Sequence, residues 1–118
     1  MNLKYFTLDE FDSPDHAGSG VNMQSEFLLK LEQAREIAKI PFKISSGYRT
    51  KQHNTNVGGV LNSSHLKGVA ADIAVQSGNQ RYVILHALIK AGFKRMGVAK
   101  TFIHVDLDLD KSNSVWTY

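Results

Sequence analysis

Two short stretches of this chain carry side chains able to do chemistry. One runs Ser63-Ser64-His65-Leu66-Lys67-Gly68-Val69-Ala70-Ala71-Asp72, the other Phe102-Ile103-His104-Val105-Asp106. In a strand, side chains alternate between faces, so His104 and Asp106 point the same way as Phe102, while Ile103, Val105 and Leu107 point the other way. An imidazole and a carboxylate on one face of an apolar strand are costly to bury unless they are paired or bound to a metal. Asp72 likewise interrupts an apolar run, Val69 to Val75, on the face of the small residues Ala70 and Ala74. His65 lies seven residues earlier, across Gly68, where the chain can turn. Two histidines and an aspartate brought together would make a mixed nitrogen and oxygen site. Zinc accepts both donor types, and three protein ligands leave a fourth position for water. Two plainer readings stand beside this one. His104 and Asp106 could form a structural hydrogen bond at a sheet edge, and Asp72 could be a buried acid satisfied by backbone amides.

The elements that must position these residues can be read from pattern. Met23 to Lys39 carries Phe27, Leu28, Leu31, Ala34, Ile37 and Ala38 at helical spacing and stops before Pro41. Gln80 to Ala91 is a second helix, with Val83, Ile84, Ala87, Leu88 and Ala91 on one face and Gly92 after it. Phe42 to Ser45 and Val69 to Val75 are strand-like, as is Thr101 to Leu107. Thr50 to Val57 could form a helical turn, and Val115 to Tyr118 a last strand or apolar tail. Residues 1–22 form an extended lead-in with one helical turn around Leu8 and Phe11, broken by Ser13-Pro14-Asp15 and Gly18-Ser19-Gly20. The expectation is an α+β fold: one small domain over residues 1–118, with two main helices packed on a short antiparallel sheet.

Composition narrows the classes. The chain has 118 residues, 42% of them hydrophobic, enough for one core and not two. It contains no cysteine, which excludes disulfides, thiolate metal sites and a cysteine nucleophile. Any metal must use His, Asp or Glu, which suits a catalytic zinc better than a structural one. The net charge of +3 comes from scattered lysines and arginines with no basic run, so nucleic acid is not an expected partner. The start, Met1-Asn2-Leu3-Lys4-Tyr5-Phe6-Thr7, leads into no signal-peptide run. A soluble protein made in the cytoplasm is expected, monomeric and without membrane insertion.

Taken together, the segments resemble the zinc D-Ala-D-Ala carboxypeptidase and L-alanyl-D-glutamate endopeptidase family, whose metal-site core is shared with lysostaphin-type peptidases and the hedgehog signalling domain. Its Ser-x-His-x-x-Gly-x-Ala-x-Asp pattern is met at Ser63, His65, Gly68, Ala70 and Asp72. Its Ser-Gly-Tyr-Arg is met at Ser46-Gly47-Tyr48-Arg49, followed by Asn54 and Val57-Gly58-Gly59. The third-ligand strand matches Phe102 to Asp106, and the resemblance runs from about Met23 to Tyr118.

The resemblance implies one zinc per chain on His65, Asp72 and His104, and hydrolysis of peptide bonds in bacterial peptidoglycan after release or lysis, as in an endolysin. Zinc would lower the pKa of a water toward roughly 7 and polarise the scissile carbonyl. Arg49 would bind a substrate carboxylate or a developing oxyanion. Ser63 would touch substrate, orient a ligand or cap a turn, and His53 is a further substrate contact. Many members place an acid or histidine two or three residues before the last ligand, where this chain has Phe102 and Thr101. Others carry an aspartate two residues after it, the position of Asp106, to which the general-base role is assigned. The alternatives are a catalytically silent zinc or wall-binding module of the same fold, and a basic interaction domain.

Overall fold

The computed structural model describes residues 2–118, so Met1, the first residue of the lead-in, lies outside it. Helix α1 (Ser25–Ala38) turns Phe27, Leu28, Leu31 and Ala34 fully inward. It ends on Lys39 in the left-handed region, two residues before Pro41 would force the break. A short helix, α2 (Lys51–Asn56), follows the first strand. Helix α3 (Gly78–Lys90) starts on Ser77, whose hydroxyl accepts the Gln80 amide, and buries Ile84, Ala87 and Leu88.

The strands are β1 (Ile44–Ser46), β2 (Ala70–Ala74), β3 (Arg95–Val98), β4 (Phe102–Asp106) and β5 (Ser114–Thr117). They form one sheet in the order β1-β2-β4-β3-β5. The first four pair antiparallel, as expected for the sheet, although β3 is not among the expected strands; β5 adds parallel to β3 and makes the sheet mixed. Pairing of β5 is long-range, and no alternation pattern in the sequence encodes its direction.

The two faces of the sheet have different tasks. Ala71, Ile73, Met96, Ile103 and Val105 face the helices and join Phe27, Leu31, Ile84 and Leu88 in one core. Asp72, His104 and Asp106 occupy the opposite face, as the period of two requires.

The lead-in is built into this core rather than trailing from it. Phe6 and Phe11 are buried there, their rings edge to face at 5.4 Å. The Glu32 carboxylate on α1 accepts the amides of Lys4, Tyr5 and Phe6. Asp12 accepts those of Gly18 and Gly20, folding the polar loop back on itself. Among the described residues, no helix is long and apolar enough to cross a membrane.

Candidate metal centre

His65 sits in a 3-10 turn, Ser64–Lys67, between α2 and β2. The Ser63 hydroxyl accepts the His65 amide at 3.3 Å and so caps this turn. Gly68 closes it at φ 71°, where a β-carbon would overlap the Asn22 carbonyl oxygen. Only glycine combines that left-handed conformation with so close a neighbour. The Gly68 carbonyl in turn accepts the Gln24 amide at 2.9 Å, so the end of the lead-in braces the turn. On the other side, the His65 ring places Nδ1 2.7 Å from the Gly47 carbonyl oxygen. Nδ1–H therefore donates to backbone, which fixes the tautomer and leaves Nε2 as the free donor atom.

Asp72 and His104 are directly opposed across the β2–β4 ladder. Asp72 Oδ1 lies 3.0 Å from His104 Nδ1 and 3.4 Å from His65 Nε2. The donor atoms of His65, Asp72 and His104 all lie within 4.8 Å of one another. All three residues are buried or nearly so, exposed by no more than 9%. The donor chemistry fits a borderline-soft cation: two imidazole nitrogens and one carboxylate oxygen converge, and a zinc ion accepts that set. All three residues line an open cleft.

Burial pushes the Asp72 carboxyl up, but hydrogen bonds from His104 and His65 more than reverse this and hold it well below the usual carboxylate range. Burial pushes the His104 imidazole down, and the carboxylates of Asp106 and Asp72 reverse that, holding it above the ordinary imidazole range. Asp72 and His104 thus sustain charge in a nearly dry place, a common signature of a functional site.

The cleft over these residues encloses about 430 Å³. Its floor includes Arg49, whose Nη2 stands 3.6 Å from Asp72 Oδ2, the oxygen turned away from the histidines. Arg49 Nε donates to Ser46 Oγ and Nη1 to Asn54 Oδ1, so the guanidinium is aimed rather than loose. Val57 to Val60 form one lip, and Phe102, Trp116 and Tyr118 form the other wall. Trp116 lies over Gly97, where a β-carbon would overlap its indole nitrogen, and its ring centre is 5.4 Å from that of His104.

One expected contact falls outside the cleft, and another lines it with both oxygens already bonded. His53 is not among the residues lining the cleft. Its neighbour Asn54 takes the inward position on α2, bonded to Arg49 and to the Val60 carbonyl. A one-residue difference in the phase of a six-residue helix separates the two. Asp106 is close to His104 but on the far side of its ring from the cluster. It accepts from His104 Nε2–H at 2.7 Å, while Nδ1 faces Asp72. Its other oxygen accepts from Arg95 Nε at 2.8 Å and the Asp108 amide at 3.1 Å. Burial pushes this carboxyl up, but the His104 ring, the Asp108 amide and Arg95 together hold it below the usual range. Both oxygens of this buried carboxylate are engaged, and a carboxylate bonded to a histidine in this way holds the orientation of its ring.

Several contributors carry no local motif. Asp108 accepts from Ser64 Oγ at 2.7 Å and Lys67 Nζ at 3.0 Å, clamping the His65 turn to the segment after β4. Arg95 and Trp116 frame His104. Their partners lie across strands, and no local motif marks these contacts.

No curated protein matches the chain. A family model described as Peptidase M15 matches residues 4–106, a span that includes the lead-in as well as all three convergent donors. The chain belongs to the M15 peptidase family.

Proposed function

We propose that the chain is a zinc-dependent peptidase that hydrolyses peptide bonds in the stem or cross-bridge peptides of bacterial peptidoglycan. The observation that carries this reading is the convergence of His65 Nε2, Asp72 Oδ1 and His104 Nδ1 at the floor of an open cleft, in a chain of a peptidase family. Zinc held by these residues would supply a water of pKa roughly 7 and polarise a scissile carbonyl. Each protein group has a task beside it. Arg49, fixed by Ser46 and Asn54, offers a planar fork to a substrate carboxylate or to the oxygen that gains charge during attack. Trp116 and Phe102 wall the centre and keep bulk water from His104. Ser63 holds the His65 turn and lines the cleft beside it. Asp106 keeps His104 in the tautomer that presents Nδ1.

The test is digestion of purified peptidoglycan by the zinc-loaded chain, with products read by mass spectrometry. New amino and carboxyl termini in stem or cross-bridge peptides are expected, abolished by a chelator and restored by zinc. Hydrolysis that persists in chelator would remove the metal from the reading, and absence of new termini would remove the substrate.

One observation favours a second reading, a zinc-holding wall-binding module without turnover. Apart from the three donors and the engaged Asp106, no histidine or carboxylate lines the cleft among the described residues. Stoichiometric zinc and sedimentation with peptidoglycan, without new termini, would select that reading.

A further inference from the structure

We propose that Arg95 is a positioning residue for the third metal donor, acting through Asp106 and Trp116 to hold the His104 ring with Nδ1 turned to the centre. The inference rests on the metal reading above.

The geometry begins with register. Met96 and Gly97 of β3 pair with Val105 and His104 of β4, so Arg95 stands beside Asp106. Its Nε donates to Asp106 Oδ1 at 2.8 Å, and Asp106 Oδ2 receives the His104 Nε2 proton at 2.7 Å. Arginine, buried carboxylate and imidazole form one continuous string ending at Nδ1. The guanidinium also lies over the Trp116 ring at 4.9 Å, and Trp116 leans on the face of His104. Arg95 Nη1 donates to the Ser112 carbonyl, which ties it to the chain leading into β5. One side chain therefore touches both groups that confine the His104 ring, one at its edge and one at its face.

Each link has a physical reason. Asp106 is 1% exposed, and a carboxylate so buried needs a fixed donor to stay charged and still. Without Arg95, Oδ1 keeps only the Asp108 amide, and the carboxylate gains freedom to rotate about its Cβ–Cγ bond. The proton on Nε2 would then lose its fixed acceptor, and the ring could turn Nδ1 away from Asp72. Arginine suits the task better than lysine because its planar fork serves Asp106 and Ser112 at once while its flat face stacks on the indole.

The experiment uses the full chain, parent and Arg95→Met, with zinc affinity measured against a competing chromophoric chelator. Outer partners of ligand histidines typically carry ten- to hundredfold in metal affinity, so a loss of about that size is expected in Arg95→Met. Arg95→Lys should fall between it and the parent. Because Arg95 acts in part through Asp106, the losses of zinc affinity in Arg95→Met and Asp106→Asn should be less than additive in the double variant. A metal-free readout runs beside this: the His104 Nε2 proton, followed by proton–nitrogen NMR, should exchange slowly in the parent and quickly in Arg95→Met. If Arg95→Met does not fold, Arg95→Lys is read by the same resonance. Zinc affinity within twofold of the parent in folded Arg95→Met, full additivity with Asp106→Asn, or unchanged exchange in Arg95→Lys would each overturn the proposal. A parent chain that takes up no zinc would instead sink the metal reading, while the exchange measurement would still report on the string itself.

Discussion

The two histidines of the centre are held in opposite ways. His65 sits on a one-turn helix, and its ring is oriented by backbone, the Gly47 carbonyl. The turn itself is fixed by chain path: Ser63 caps it, Gly68 ends it against Asn22, and Asp108 clamps it from outside. His104 sits mid-strand, where the ladder fixes its backbone but says nothing about its ring. That ring is oriented by side chains alone: Asp72 in front, Asp106 and then Arg95 behind, Trp116 across its face. A backbone acceptor cannot be removed by substitution, whereas a string of side chains can be cut at any link. The comparison teaches that changes near His65 should register first as lost stability, and changes near His104 first as lost metal affinity.

The largest effect comes from removing donors on either side, where the two should behave alike. Asp72→Ala combined with His104→Ala should abolish stoichiometric zinc, and His65→Ala should do so nearly as completely. Metal analysis of the dialysed chains checks this. Zinc retained at one equivalent in the double variant would mean that the donors lie elsewhere.

The comparison sharpens at Asp106. Both of its oxygens accept hydrogen bonds, but asparagine has only one acceptor oxygen, so in Asp106→Asn either His104 or Arg95 meets an NH₂ group. Zinc affinity should fall by about ten- to hundredfold, with turnover falling alongside it. Calorimetric titration with zinc and a turnover assay separate two roles. Undiminished zinc affinity with turnover lost about a hundredfold would return Asp106 to the general-base role.

The same contrast separates what the sequence makes legible from what only the folded chain shows. The convergence of His65, Asp72 and His104 was legible because each depends on local spacing: seven residues from His65 across a glycine to Asp72, and a polar residue on an apolar strand at His104. The strand period also placed Asp106 on the right face. It did not give the direction. Asp72 is directly cross-strand from His104, whereas Asp106 is two residues along the same strand, so the ring stands between them. Arg95, Trp116 and Asp108 act through partners distant in sequence, and no local pattern announces such a contact. The two main helices and β1, β2 and β4 followed from periodicity, whereas β3 did not, because Arg95-Met96-Gly97-Val98, with a glycine among its four residues, shows no clear alternation of polar and apolar residues. The parallel addition of β5 and the packing of the lead-in did not, because both depend on which strand edge or core surface remains free after the rest has assembled.

On the His65 side, Gly68→Ala should act on stability. The position combines φ 71° with a neighbouring carbonyl where the new methyl would lie. A non-glycine residue in that region costs on the order of 1–3 kcal/mol before the overlap is relieved. Denaturant unfolding of the metal-free chain should show the loss. A midpoint unchanged from the parent would mean that the turn is not braced by the lead-in at Asn22.

The smallest effect tests the clamp outside the turn through pH. Asp108 is buried, which pushes its carboxyl up, but Ser64, Lys67 and the Asp110 amide outweigh burial and bring it down to about 2. A folded pKa below the unfolded value of roughly 4 means that the folded state binds the proton less readily than the unfolded chain. The stability gained from this group is therefore fully present above about pH 4 and is lost as pH falls from there toward 2. Asp108→Asn removes the titration. Its unfolding midpoint, lower than the parent's at pH 7, should approach the parent's as both are acidified. Because the clamp lies outside the metal centre, zinc affinity at pH 7 should change far less in Asp108→Asn than in Asp106→Asn. Equal losses of affinity in the two variants would erase the distinction between a turn fixed by chain path and a ring fixed by side chains.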